Sequence, residues 1–177
     1  QDQIGQLSAQ LPVDAVDLRV RELRGKLSNL VLVGMPGSGK SSLGKACAKL
    51  LGKRFVDMDD VLVERIGGPI SSILSPGNET PFRNLESAVA AELGKENGQV
   101  IATGGGAVLR PENRAILAER GYVVYLQVTA DEAASRISDV STRPLFRDLD
   151  TARATIEARL PLYEDVADAV VDTSGKS

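Results

Sequence analysis

An apolar run followed by a glycine-rich turn constrains the fold of this chain more than any other feature. The run is Asn29–Val33, and the segment after it, Gly34-Met-Pro-Gly-Ser-Gly-Lys-Ser41, has the spacing G-x-x-x-x-G-K-[ST]. Glycines in such a loop let successive backbone N–H groups converge on phosphate oxygens, and the helix N-terminus beyond adds positive dipole. The alternative is a turn with an incidental lysine, but a strand before the turn and a helix after it favour a nucleotide phosphate site.

Two side chains of this loop carry groups suited to a bound nucleotide. Lys40 is expected to supply a cation to the β- and γ-phosphates, and the Ser41 hydroxyl is a ligand for Mg²⁺. A phosphate loop indicates that a nucleotide binds, but not what is done with it. The molecule that receives the phosphoryl group has to be argued from other residues.

Strands and helices alternate along the rest of the chain. Strands are predicted at 29–33, 55–57, 99–103, 122–128 and 169–171, and helices at 40–51, 60–66, 79–96, 111–120, 130–138 and 151–166. Strands separated by helices imply parallel pairing, right-handed crossovers and helices on both faces of the sheet. We therefore predict one three-layer α/β/α domain over residues 28–177, preceded by an extension, 1–27, that contains a short amphipathic helix.

Composition excludes several classes of function. The net charge is −3 and aromatic residues make up 3%, which argues against nucleic-acid partners. No apolar run approaches the roughly 18 residues of a membrane span, and no secretory leader is visible, so no membrane partner is expected. The single cysteine, Cys47, rules out an internal disulfide and suits a reducing cytoplasm. Histidine is absent, so any proton transfer has to use carboxylate, lysine or water.

Acidic residues follow the second predicted strand in the segment Asp57-Met-Asp59-Asp60. The carboxyl ends of strands in an open parallel sheet face the ligand crevice, so this is the edge where chemistry is expected. Two carboxylates two residues apart can serve different roles, one near Mg²⁺ and the other near an acceptor hydroxyl. The alternative is that Asp59 or Asp60 only caps the following helix.

A glycine run and three arginines are further candidates. Thr103 is followed by Gly104–Gly106 at the end of a buried strand, where a ligand can approach the backbone closely. Arg143 lies in a polar stretch, 139–150, that suggests a mobile lid adding positive charge on closure. Arg83 and Arg159 lie on predicted helices, where a solvated surface position is the ordinary alternative.

Six segments in order resemble the shikimate kinase family over about residues 30–173: GMPGSGKS, FVDMD, FRNLE, ATGGGAV, TRPLF and RLPLYEDVAD. The resemblance implies a P-loop kinase fold with a five-stranded parallel sheet of order 2-3-1-4-5 and a mobile lid at about 139–150. It also implies an enzyme that transfers the γ-phosphoryl group of ATP to the 3-hydroxyl of shikimate, with Mg²⁺, on the route to chorismate and the aromatic amino acids.

The resemblance also assigns roles to individual residues on the nucleotide side. The ATP phosphates would be wrapped by Gly37, Ser38, Gly39, Lys40, Ser41 and Ser42. Ser41 would be a direct Mg²⁺ ligand, and Asp57 would contact the metal through water. Arg136 would lie against adenine, and Arg143 would be the lid arginine that reaches the phosphates.

On the acceptor side, the resemblance makes Asp59 the base that binds the shikimate hydroxyl. Arg83 and Arg159 would hold the shikimate carboxylate, and Gly105, within the run Gly104, Gly105 and Gly106, would contact the substrate through its backbone. Lys40, Asp59 and Arg143 are thus the catalytic candidates. An arginine fork suits a carboxylate better than a lysine does.

Some positions depart from the family, and some alternatives stay open. Leu74 falls where the family often has a phenylalanine in the substrate pocket, and Asn78 where it often has a glycine.

The extension fits either an extra helix or a fusion to another enzyme of the pathway, and a monomer is expected. Other possible functions are a kinase for another polyol acid or nucleotide, or a non-catalytic nucleotide-binding module. Asp59 with the paired Arg83 and Arg159 argues against the first. Retention of Lys40, Ser41, Asp57, Asp59 and Arg143 argues against the second.

Overall fold

The computed structural model describes residues 28–129, 132 and 149–173. The predicted helix in the extension 1–27, the predicted helix at 130–138 and nearly all of the predicted lid therefore lie outside the described residues. Arg136 and Arg143 lie outside them as well.

Five parallel strands form one sheet in the order β2-β3-β1-β4-β5, as the resemblance implied. The strands are β1 (Asn29–Val33), β2 (Arg54–Asp57), β3 (Gln99–Ala102), β4 (Gly121–Gln127) and β5 (Ala169–Asp172). β1 lies at the centre, where a strand covered on both faces has to be apolar throughout. That requirement explains its continuous run of valine and leucine.

Five α-helices belong to the described residues. They are α1 (Lys40–Leu51), α2 (Met58–Ile66), α3 (Thr80–Gly94), α4 (Pro111–Glu119) and α5 (Leu149–Val166). A 3₁₀ helix, Ile70–Ser72, was not predicted. The predictions place all five helices correctly, but α2 and α5 each begin two residues earlier than expected.

The early start of α2 has a local cause. Asp57 Oδ1 accepts hydrogen bonds from the backbone N–H groups of Asp59 at 2.9 Å and Asp60 at 3.4 Å. These are two of the N–H groups that a helix start leaves without partners, so an aspartate at this position caps the helix and lets it begin at the next residue. The alternative in which Asp59 or Asp60 is the cap is therefore wrong, because Asp57 fills that role.

Side chains of β1 alternate between the two faces of the sheet. Val31 and Val33 belong to the larger hydrophobic core cluster, with Met58 from the start of α2. Leu32, between them in sequence, belongs to a smaller cluster with Ala48 of α1. This period of two follows from strand geometry and gives the helices on both faces an apolar surface to cover.

Pairing of the three strands β1, β3 and β2 brings their carboxyl ends to the same edge. Leu32 pairs with Ala102, and Ala102 pairs with Asp57. The segments that follow these strands therefore emerge next to one another.

No helix in the described ranges is long and apolar enough to cross a membrane.

Candidate active site

A cavity of about 470 Å³ opens at the edge where β1, β2 and β3 end. Its walls combine the glycine-rich loop, the acidic segment, the glycine run and two arginines, which are far apart in sequence. The residues that line it are Pro36, Gly37, Gly39, Lys40, Ser41, Ser42, Asp57, Asp59, Ile70, Leu74, Phe82, Arg83, Glu86, Thr103, Gly104, Gly105, Gly106 and Arg159.

The glycine-rich loop forms one end of the cavity. Gly39, the residue before α1, has φ +94°, a left-handed conformation that glycine adopts without steric cost. The Lys40 ammonium group donates to the carbonyls of Gly34 at 2.7 Å and Met35 at 2.9 Å, which holds its charge over the loop. The Ser38 side chain is buried and does not line the cavity, so only its backbone can contact a phosphate there.

A hydrogen bond joins the start of α1 to the end of β2. Ser41 Oγ donates to Asp57 Oδ2 at 2.6 Å. Since Asp57 Oδ1 caps α2, the two oxygens of one carboxylate fix two elements relative to each other. Capping and a place in the site coexist in Asp57, as the sequence allowed.

These oxygen atoms suit magnesium. Mg²⁺ binds few protein ligands, one or two of them carboxylates, and takes its other oxygen ligands from substrate phosphates and water. Ser41 and Asp57 provide a hydroxyl and a carboxylate 2.6 Å apart beside the phosphate loop. No group of three or more carboxylate or thiolate side chains that could hold a metal is gathered among the residues that the structure describes.

Asp59 lies in the first turn of α2, at the rim of the cavity. Its Oδ1 lies so near to Gly104 that a Cβ on residue 104 would come within 2.7 Å of it. A carboxylate between the phosphate loop and the glycine run can accept a proton from a bound hydroxyl.

Arg83 is buried rather than solvated, so the surface alternative is wrong for it. Its Nη1 donates to Glu86 Oε1 at 2.9 Å, one turn along α3, and its other edge contacts Glu79 Oε2 at 3.3–3.4 Å. Burial raises the pKa of Glu86 above its ordinary value, although the neighbouring Arg83 opposes the shift. The two glutamates hold the guanidinium against the cavity wall.

Arg159 is also buried, with 4% of its surface exposed, although the sequence left a solvated helix face open as the alternative. It extends from α5 to the glycine run, where a Cβ on Gly105 would lie 3.1 Å from Nη1 of Arg159. Tyr163, one turn further along α5, donates its hydroxyl to the Gly105 carbonyl at 2.5 Å. Burial raises the pKa of Tyr163 to about 12, which keeps this hydroxyl protonated.

Each of the three glycines of the run is closely approached by other residues. A Cβ on Gly104 would meet Asp59, one on Gly106 would meet Arg83, and one on Gly105 would meet the Pro36 ring at 2.8 Å and Arg159 at 3.1 Å. A side chain at position 104 or 106 would displace a charged group from the cavity wall, and one at position 105 would press on the phosphate loop as well. The run lets the loop and three charged side chains approach one short piece of backbone.

Comparison with known proteins identifies the family. A family model described as shikimate kinase matches residues 36–177. The chain belongs to the shikimate kinase family. The shikimate kinase of Actinobacillus pleuropneumoniae serotype 5b is 41% identical over 153 residues, which cover 84% of this chain and 88% of that protein. The shikimate kinase of Paracidovorax citrulli is 44% identical over 154 residues, covering 84% of each.

Solved shikimate kinases share the fold. The structure of shikimate kinase from Acinetobacter baumannii in complex with shikimate superposes with a TM-score of 0.78 and 35% identity, covering 85% of this chain and 86% of that one. Shikimate kinase from Bacteroides thetaiotaomicron gives a TM-score of 0.70 and 29% identity over 82% of this chain and 86% of that one.

Three residues of this shikimate kinase family member were not among the predicted site residues. Glu86 and Glu79 hold Arg83, and Tyr163 contacts Gly105. Glu79 and Glu86 lie four residues before and three residues after Arg83, and Tyr163 lies four residues after Arg159. Such spacings bring side chains together on one helix face. That spacing was visible in the sequence, but only burial of the arginines makes such partners necessary.

An apolar wall completes the cavity. It consists of Ile70, Leu74 and Phe82, and Leu74 is 6% exposed, as expected for a residue lining the pocket. Ile70 reaches the cavity from the unpredicted 3₁₀ helix. The cavity is therefore apolar on one side and charged on the other. A small ligand with a hydrocarbon ring and a few polar groups would fit such a cavity.

Proposed function

We propose that this chain transfers the γ-phosphoryl group of ATP to the 3-hydroxyl of shikimate, giving shikimate 3-phosphate and ADP. The observation that carries this proposal is one cavity in which the phosphate loop faces a carboxylate, Asp59, and two buried arginines, Arg83 and Arg159. Phosphoryl transfer depends mainly on positioning and on neutralising charge, so this arrangement provides what the reaction needs.

The nucleotide phosphates bind the loop 37–42. Backbone N–H groups at the start of α1 face them, and Lys40, which the carbonyls of Gly34 and Met35 hold over the loop, adds a positive charge. Arg143 and Arg136, beyond the described residues, are proposed to reach the phosphates and the adenine. These two roles rest on the family resemblance.

The divalent metal of the site is proposed to be Mg²⁺. When bound, it neutralises phosphate charge and orients the oxygens of the transferring group. Ser41 would hold it through Oγ and Asp57 through water. The 2.6 Å hydrogen bond between these two side chains keeps the serine oxygen and the carboxylate next to each other, so both can serve the same metal ion.

Asp59 is proposed to bind the acceptor hydroxyl and take its proton. The chain contains no histidine, which leaves carboxylate, lysine or water for this role, and Asp59 is a carboxylate that lines the cavity. Asp59 lies in the first turn of α2, beside the glycine run. The proton moves from the substrate oxygen to a carboxylate oxygen of Asp59 as the bond to phosphorus forms.

The shikimate carboxylate is proposed to bind between Arg83 and Arg159. Both side chains are buried, so their attraction for a carboxylate is weakened little by water. Glu79 and Glu86, which both lie within ion-pair distance of Arg83, orient its guanidinium toward the cavity. Ile70, Leu74 and Phe82 provide the apolar side of the pocket for the ring.

A steady-state assay of ADP release tests the proposal. The enzyme is given ATP and Mg²⁺ with shikimate, with gluconate, with AMP or with no acceptor. We expect ADP release that depends on shikimate and is small with the other acceptors. Faster turnover of gluconate or AMP would assign another acceptor, and nucleotide binding without acceptor-dependent ADP release would indicate a regulatory module.

A further inference from the structure

The hydroxyl of Tyr163 lies where three walls of the cavity meet. It donates to the Gly105 carbonyl at 2.5 Å and lies 3.3 Å from the sulfur of Met35. Met35 belongs to the phosphate loop, Gly105 to the glycine run and Tyr163 itself to α5. One fully buried side chain therefore connects α5 to the loop and to the run.

The glycine run forms a turn whose central peptide can adopt two orientations. Ala107 N–H donates to the Gly104 carbonyl at 3.1 Å, so Gly105 and Gly106 are the central residues of a four-residue turn. Neither has a positive φ, which excludes type II, in which the third residue has φ near +80°. Glycine at that position reaches the type II form without steric cost, so a flip of the peptide between Gly105 and Gly106 is not prevented by sterics.

The proximity of Arg83 requires this glycine. Its guanidinium fills the space where a Cβ on Gly106 would lie, so the turn cannot be made rigid by a bulkier residue. Some other contact has to fix the peptide orientation. The hydrogen bond from Tyr163 does so, because it holds the Gly105 carbonyl on one side and thereby directs the Gly106 N–H to the opposite side.

A proline lies between Arg159 and Tyr163 on α5. Pro161 has no N–H group, so the carbonyl of Glu157 lacks its usual partner in the helix ladder at this turn. Both side chains nevertheless reach the glycine run: a Cβ on Gly105 would lie 3.1 Å from Nη1 of Arg159, and the Tyr163 hydroxyl donates to the Gly105 carbonyl.

We propose that Tyr163 is a positioning residue for the acceptor site: its hydroxyl locks the Gly105–Gly106 peptide, beside which Arg159 lies, in one orientation. The kinetic side of this inference rests on the proposed function, because it concerns binding of the acceptor. The orientation of the peptide does not depend on the reaction, so it can be tested separately.

The test compares Tyr163→Phe with Tyr125→Phe in the full chain. The rings of Tyr163 and Tyr125 stack with centroids 5.2 Å apart, so each variant removes one hydroxyl from the same buried ring pair. Only the Tyr163 hydroxyl contacts Gly105. Thermal unfolding of both variants separates a general loss of stability from an effect on the site.

In steady-state kinetics, we expect Tyr163→Phe to raise the KM for shikimate about tenfold, the size of one lost buried hydrogen bond. The KM for ATP and the kcat should change by less than about threefold, and Tyr125→Phe should resemble the wild type in all three constants. Equal changes in both KM values, or a normal KM for shikimate in an active enzyme, would overturn the positioning role.

In crystal structures of both variants, we expect the Gly105 carbonyl of Tyr163→Phe to populate the flipped orientation, with a positive φ at Gly106. Tyr125→Phe should keep the wild-type orientation. A single unchanged orientation in Tyr163→Phe would refute the lock even if the protein phosphorylates another acceptor. Conversely, a flipped peptide in a protein without shikimate kinase activity would reject the proposed function and keep the structural inference.

Discussion

The guanidinium of Arg83 occupies the space that a Cβ on Gly106 would need. Arg83 lies on α3 and Gly106 follows β3, so their proximity depends on the packing of a helix over the end of a strand. Arg83 cannot move aside freely, because it is 7% exposed and Glu86 holds its Nη1 at 2.9 Å. Residue 106 has to be glycine for this arginine to face the cavity.

We expect Gly106→Ala to displace Arg83 and to weaken shikimate binding. The added methyl group should lower the free energy of unfolding by about 1–3 kcal/mol through overpacking. Loss of a charged hydrogen bond should raise the KM for shikimate by about tenfold or more, with little change for ATP. Gly68→Ala is the control, because its nearest neighbour to an added Cβ is 4.0 Å away and its φ is not positive. Equal effects of the two variants on the KM for shikimate would contradict this account.

The element types could be predicted because each leaves a strong local pattern, whereas the strand order came from the family resemblance. The continuous apolar run of β1 and the loop after it fix where the sheet is centred, and the resemblance supplied the order. The start of α2 could not be predicted, since it depends on which of three nearby aspartates turns its side chain back to the helix. The 3₁₀ helix Ile70–Ser72 is too short to have a periodicity of its own.

The predicted site residues within the described part of the chain converge on one cavity, apart from the side chain of Ser38. What the sequence could not give was the burial of Arg83 and Arg159, because a lone arginine is usually solvated. Burial creates the need for Glu86 as a partner of Arg83, and it arises only from packing of α3 and α5 over the glycine run. The partners follow from tertiary structure, although their spacing is local.

Asp59→Asn tests the base role. An amide cannot take the proton of the acceptor hydroxyl, so we expect kcat to fall by about 10²-fold or more, while ATP still binds. Asp60→Asn is a matched control, since Asp60 is the next residue of the same exposed first turn and does not line the cavity. It should stay within about twofold of the wild type. Near-normal turnover of Asp59→Asn would refute the base role.

Asp57 has two roles that two substitutions can separate. Asparagine caps helices about as well as aspartate, so Asp57→Asn should keep its stability while losing the charge near the metal. Asp57→Ala should also lose the cap, which lowers the free energy of unfolding by about 1 kcal/mol. Both variants should need about tenfold more Mg²⁺ for half-maximal activity. An unchanged Mg²⁺ requirement in Asp57→Asn, measured by titration at saturating ATP, would remove Asp57 from the metal site.

The buried carboxyl of Glu86 should make the stability depend on pH in a defined direction. Burial raises the pKa of Glu86 above its ordinary value of 4.5, so between these two values the folded chain keeps a proton that the unfolded chain has lost. Stability falls with rising pH wherever the folded state binds more protons. The contribution of Glu86 is therefore constant below pH 4.5, declines up to the folded pKa, and is constant at its lower value above it.

Glu86→Gln isolates this contribution, because glutamine does not titrate and has nearly the same shape. The free energy of unfolding of the wild type minus that of Glu86→Gln, measured by urea denaturation at a series of pH values, should decrease as the pH rises from 4.5. Other carboxyl groups titrate in both proteins and largely cancel in the difference. A difference that increases over this interval would mean that the attraction of Arg83 outweighs burial, and that the pKa of Glu86 is lowered instead.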